Sequence, residues 1–103
     1  MKRYVLSAEA EKDLDSIKSY LLRQAGLQVT RYVLRELRSA MRFLAKTPRA
    51  GHNRKDLTEE PVLFWAVFSY LIVYDPERRP MEIVRVLHGK RDLTAILDPK
   101  TGR

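Results

Sequence analysis

Five residues near the C-terminus, Arg85, His88, Lys90, Arg91 and Asp92, have the types and spacing that phosphate chemistry uses. A histidine with an ordinary pKa of about 6.5 can take or give a proton near neutrality. Arg85, His88 and Arg91 are therefore the candidate catalytic set if a phosphodiester is cut. The competing reading makes His88 the cap of a strand end and lets Arg91 and Asp92 pair to fix the tail. No second general acid or base is evident in the final strands, which favours the structural reading. A metal shared by His52, Asp56 and His88 has nothing to enforce its geometry, so neither a metal nor another cofactor is expected. The 103 residues include no cysteine, which removes disulfides, zinc–thiolate sites and thiol nucleophiles.

The elements that must position these residues can be read from pattern. Arg3 to Leu6 is a short strand, and Ser7 is placed to cap a helix, a more natural role for it than nucleophile. Ala10, Leu14, Ile17, Leu21 and Ala25 then form one face of a helix over roughly 8–25. Gly26 can close that helix. A second helix runs from about Gln28 to Lys46, ending before Pro48. Val29, Val33, Leu37, Ala40 and Leu44 form its core stripe. Arg31, Arg35, Arg38, Arg42 and Lys46 lie roughly opposite. Leu34 and Met41 on one flank, and Tyr32 and Phe43 on the other, widen the apolar arc beyond what one neighbour needs. Either the helix is deeply buried in its own fold or it offers a groove to a partner helix.

Pro48 to Pro61 lacks periodicity and reads as a surface loop, so His52, Arg54 and Lys55 are expected in solvent. Val62–Val67 is continuously apolar, which predicts a central strand with Phe64 and Trp65 in the core. Strands over Tyr70–Tyr74 and Met81–Leu87 follow, then a short helix or extended piece from Asp92 to Leu97. The order β-α-α-β-β-β, with short links between the last three strands, predicts an α+β fold. Its sheet should be small and mainly antiparallel, with both helices on one face. One domain over 1–103 is expected.

Charge is unevenly placed. The net +7 comes chiefly from residues 23–55, where nine basic residues stand against Glu36 alone. Residues 56–82 are acidic, with six carboxylates against Arg78 and Arg79. Such a surface suits nucleic acid or an acidic protein, or simply solubility. The longest apolar run, Val62 to Phe68, is too short to span a bilayer, and the acidic N-terminal stretch is unlike a signal peptide. A cytoplasmic protein is expected.

These segments together resemble a known family. The element order, the helix start LSAEAEKDLDSI, the turn Pro48-Arg49-Ala50-Gly51, the strand YLIVYD from Tyr70 to Asp75 and the block IVRVLHGKRD from Ile83 to Asp92 are similar to the RelE/ParE superfamily. Its members are bacterial toxins of type II toxin–antitoxin modules. The resemblance implies one of two activities. RelE-like members cut messenger RNA on the ribosome, using lysines at positions that correspond to Val62 and Phe64. They also use arginines at Leu71 and Arg91 and a tyrosine at Leu97. Only Arg91 keeps that chemistry here, and aliphatic side chains neither carry protons nor stabilise a phosphorane. The departure favours the ParE-like branch, the plasmid stabilisation proteins, which inhibit DNA gyrase by binding.

On that reading the partners are gyrase, as target, and a cognate ParD-like antitoxin, expected to be acidic and to form a hetero-oligomer with the toxin. Tyr32, Leu34, Met41 and Phe43 are the candidates for antitoxin binding. Arg54, Lys55, Arg85, His88, Lys90, Arg91 and Asp92 are the candidates for the toxic surface. The alternatives are a ribosome-dependent endoribonuclease using Arg85, His88 and Arg91, or a basic nucleic-acid-binding module working through the Arg31–Lys46 stripe.

Overall fold

Ser7 sets the first corner of the chain. Its hydroxyl accepts from the Ala10 amide at 2.9 Å, capping the helix that follows, and donates to the Val84 carbonyl at 2.7 Å. One side chain thus starts a helix and ties it to a strand 77 residues away in sequence. The computed structural model describes residues 3–88. The expected piece from Asp92 to Leu97, and Lys90, Arg91 and Asp92 themselves, lie outside that range.

In chain order the elements are β1 (Tyr4–Leu6), α1 (Ala8–Gln24), α2 (Gly26–Lys46), a single 3-10 turn (Pro48–Ala50), β2 (Leu63–Val67), β3 (Tyr70–Asp75) and β4 (Met81–His88). The α+β order read from the sequence holds. The four strands form one sheet in the order β1-β4-β3-β2. β1 pairs parallel with β4, while β2–β3 and β3–β4 are antiparallel. The β3–β4 register slips between Val73 and Tyr74, so β4 carries one extra residue there.

Both helices pack on one sheet face. Ile17 and Leu21 from α1 and Leu37, Met41 and Leu44 from α2 join Ile72, Tyr74, Met81, Ile83 and Val86 in the main core. Each large aliphatic side chain buried there contributes roughly 1.5–3 kcal/mol. The α2 stripe is turned from its expected setting. Thr30, Met41 and Ala45 are buried and Val29 is exposed. Burial of Thr30 is tolerated because its hydroxyl donates to the Gly26 carbonyl at 2.7 Å. Gly26 opens α2 at φ +89°, and only Ala25 separates the helices.

The placement of the apolar strand needs correction. β2 is an edge strand, not a central one. Its continuous apolar run arises because both its faces are covered. Leu63, Trp65 and Val67 pack toward the helices, while Phe64 faces away with Val73 and Leu87. Leu57 and Val62, from the preceding loop, close over that far face. The same loop blunts the edge, since His52 and Phe64 exchange backbone hydrogen bonds of 2.9 and 2.8 Å. It is therefore more structured than its composition suggests.

Candidate functional site

The far face of the sheet is where strand chemistry would have to sit, and it is apolar. Phe64, Val73 and Leu87 are buried there, backed by Leu57, Val62, Leu71 and Val84. Positions Val62, Phe64 and Leu71, where the nuclease branch needs cations, are packed against one another instead.

Arg85 is committed elsewhere. Its guanidinium donates to both carboxylate oxygens of Asp13 at 2.8 Å, and Asp13 also accepts the Val86 amide at 3.0 Å. The arrangement follows from the short β1. Beyond Leu6 no strand covers the edge of β4, so α1 covers it with side chains: Ser7 takes the Val84 carbonyl and Asp13 the Val86 amide. With both side chains largely shielded, this bidentate pair is a joint between helix and sheet. Sequence reasoning listed Arg85 for function and missed Asp13. The available signal was a carboxylate three residues after Ala10, on the flank of the buried stripe.

The other toxic-surface candidates among the described residues lie on the end of β4 and on the loop before β2. His88 ends β4, half-buried, opposite Tyr70, and the two rings meet edge to face at 5.5 Å. Arg54 forms a bidentate pair with Asp56, at 3.0 and 2.8 Å, within its own loop. That hydrogen bonding raises the Arg54 pKa and lowers that of Asp56. Lys55 is exposed beside them. The hydrogen bonds of Arg54 and Arg85 therefore run to different elements and assemble no common cluster.

The antitoxin-binding candidates divide. Met41 is fully buried and presents no surface, because the rotation of α2 turns it onto the sheet. Leu34 is partly buried. Tyr32 and Phe43 remain exposed, and both reach toward the β2 side of the molecule. Tyr32 meets Phe68 at 5.7 Å, and Phe43 meets Trp65 at 5.3 Å. His52 stacks on Trp65 at 6.2 Å, so Trp65 is a shared wall rather than core alone.

One anchor holds this side together. Tyr74 donates to the Pro48 carbonyl at 2.7 Å and accepts from the Gly51 amide at 2.9 Å. Gly51 must be glycine, since a Cβ there would strike the Tyr74 ring and the Phe64 carbonyl. The Pro48-Arg49-Ala50-Gly51 turn is thus fitted to a tyrosine of β3.

With this geometry in view, comparison with known proteins decides the family. The family model described as the ParE toxin of the type II toxin–antitoxin system, parDE, matches residues 4–93. The chain belongs to the ParE toxin family. Toxin ParE1 of Caulobacter vibrioides is 32% identical over 97 residues, covering 94% of this chain and 99% of that protein. Toxin ParE3 of the same organism is 28% identical over 101 residues, covering 98% and 100%. A solved structure of a chromosomal ParDE TA system from P. aeruginosa shares the fold, with a TM-score of 0.70 at 16% identity. It aligns 85% of this chain with 96% of that one. As a ParE toxin, the protein is the toxic half of a type II toxin–antitoxin module. Among the described residues no helix is long and apolar enough to cross a membrane.

Proposed function

We propose that this toxin acts in the bacterial cytoplasm by binding and inhibiting DNA gyrase, with no bond-breaking chemistry of its own. A cognate, acidic ParD-like antitoxin neutralises it. The observation that carries this reading is the far face of the sheet. Val62, Phe64 and Leu71 fill it with hydrocarbon, and the nearby Arg85 is held by Asp13. A phosphorane on that face would meet no unengaged cation and no proton donor among the described residues of β2 and β3. Binding makes no such demand. Exposed Tyr32, Phe43 and Phe68 are contact residues of the kind interfaces use.

The test is a supercoiling assay with purified gyrase and toxin. Inhibition that is relieved by adding the antitoxin is expected. Undiminished supercoiling at micromolar toxin would remove gyrase as the target. His88→Ala separates the alternatives further when message cleavage is read on the ribosome: the substitution abolishes cleavage if His88 is a catalytic base, whereas on the binding reading neither wild type nor variant cleaves.

A further inference from the structure

The crossing of α1 and α2 leaves an open cleft between the helices. Lys18, Arg31, Arg35, Arg38 and Arg42 line it with charge, and Leu22, Leu27 and Leu34 with hydrocarbon. Among the described residues that line it there is no carboxylate and no aromatic ring. Its arginines belong to a longer row. Arg31, Arg35, Arg38, Arg42 and Lys46 recur at intervals of four, three, four and four, so they share one face of α2 over about 22 Å. All five are exposed. Among the described residues none of the five is ion-paired. Arg42 donates to Ser39 at 3.2 Å, and Arg35 lies over the Tyr32 ring at 5.6 Å. Elsewhere the fold supplies anions, pairing Arg49 with Glu77, Arg54 with Asp56, Arg78 with Glu82 and Arg85 with Asp13.

We propose that this row holds the phosphate backbone of duplex DNA, independently of base sequence. The proposal adds a partner to the gyrase reading and does not rest on it. Charge complementarity selects a polyanion, because five unpaired cations stand in line with no carboxylate among them. The arrangement of the row argues against an acidic protein. Its centre is cationic, and Leu27 and Leu34 lie at the margin that meets α1. A protein interface is built the other way, with an apolar centre and a polar rim. Four of the five cations are arginines, whose forked donors match phosphate oxygens. A duplex carries a charge about every 1.7 Å of its axis, so a row of this length meets phosphates wherever it is laid. A single strand would want rings to stack on, and the cleft has none. Tyr32 and Phe43 are turned to Phe68 and Trp65 instead. No asparagine or glutamine lines the cleft to read base edges, which leaves phosphate contacts as the source of binding.

The probe is a fluorescently labelled DNA duplex of about two helical turns, titrated by anisotropy with the full-length toxin in the absence of gyrase. Binding should fall steeply with salt, log K against log salt having a slope of about −4 to −5 if five phosphates are neutralised. Duplexes of unrelated sequence should bind within about threefold of one another. Arg35→Gln with Arg38→Gln should flatten the slope by about 2 and weaken binding tenfold or more at low salt. Lys12→Gln with Arg49→Gln removes the same net charge from exposed positions off the row, and should change the affinity by less than about threefold. Circular dichroism checks the fold of each variant; if the Arg35 and Arg38 pair perturbs it, Arg31→Gln with Arg42→Gln carries the test. An equal loss from the Lys12 and Arg49 pair would overturn the proposal, since net charge and not the row would then hold the DNA. Tighter binding of a single strand of equal length, or of polyglutamate of equal charge, would overturn it too. So would a slope that the row substitutions leave unchanged. None of these readouts involves gyrase, so DNA binding and the gyrase reading stand or fall separately.

Discussion

Arg85 and Arg38 are the same residue type and meet opposite conditions. Arg85 stands where β4 has lost its strand neighbour, and a carboxylate from α1 holds it on two hydrogen bonds. Arg38 lies in the helical cleft with other cations around it and no carboxylate among the lining residues. The contrast extends to the surfaces they occupy. The sheet's far side is closed with hydrocarbon, while the helical side keeps both its charge and its leucines open. Net charge counts the two arginines equally, yet only the unpaired one is available to a partner. What a cation can do is set by whether the fold has already supplied its anion.

The largest expected effect comes from forcing a cation onto the closed face. Phe64→Lys should destabilise the protein by about 4 kcal/mol, because an ammonium would replace a buried ring with no acceptor in the cluster. Denaturant titration measures this, and no cleavage activity should appear in return. Next is Asp13→Ala, which strands both the shielded Arg85 guanidinium and the Val86 amide, at a cost of about 3 kcal/mol. A double-mutant cycle with Arg85→Met should recover part of that loss, since the second change removes the orphaned charge.

Tyr74→Phe is smaller, about 1–2 kcal/mol, and leaves the Pro48 carbonyl and Gly51 amide without their partner. It also carries a pH signature. Burial pushes the Tyr74 hydroxyl above its ordinary pKa, against weaker opposing pulls from the Gly51 amide and Arg49. The native state therefore holds this proton more tightly than the unfolded chain. Its contribution is complete below about pH 10 and is lost as pH climbs through the folded-state value. Stability of the wild type should fall more steeply above that point than stability of Tyr74→Phe. The smallest effect is at the open cleft, where Arg31→Gln with Arg38→Gln should change stability by less than about 0.5 kcal/mol. A loss there comparable to that of Asp13→Ala would erase the distinction between the two arginine settings.

Local signals carried much of the fold. Ser7 announced its helix, the spacing from Ala10 to Leu21 announced the buried stripe, and short links announced the antiparallel strands. Less legible was whatever depended on distant partners. The apolar run of β2 suggested a central strand because strands buried on both faces usually lie mid-sheet, yet β2 is an edge strand with helices over one face and the Leu57 loop over the other. Met41 read as accessible because periodicity gives the width of a helix face but fixes its centre poorly. Asp13 carries no local sign of its role, because its partner Arg85 stands 72 residues away. The basic stripe of α2 was visible at once, whereas its sharing of a cleft with Leu22 and Leu27 needed the angle between two helices.

Toxicity here is by binding and not by cutting. Purified toxin should be added to ribosomes programmed with a defined message, and the RNA read by primer extension. Full-length message is predicted at toxin concentrations that stop supercoiling. Cleavage within the codon in the ribosomal A site would contradict the account.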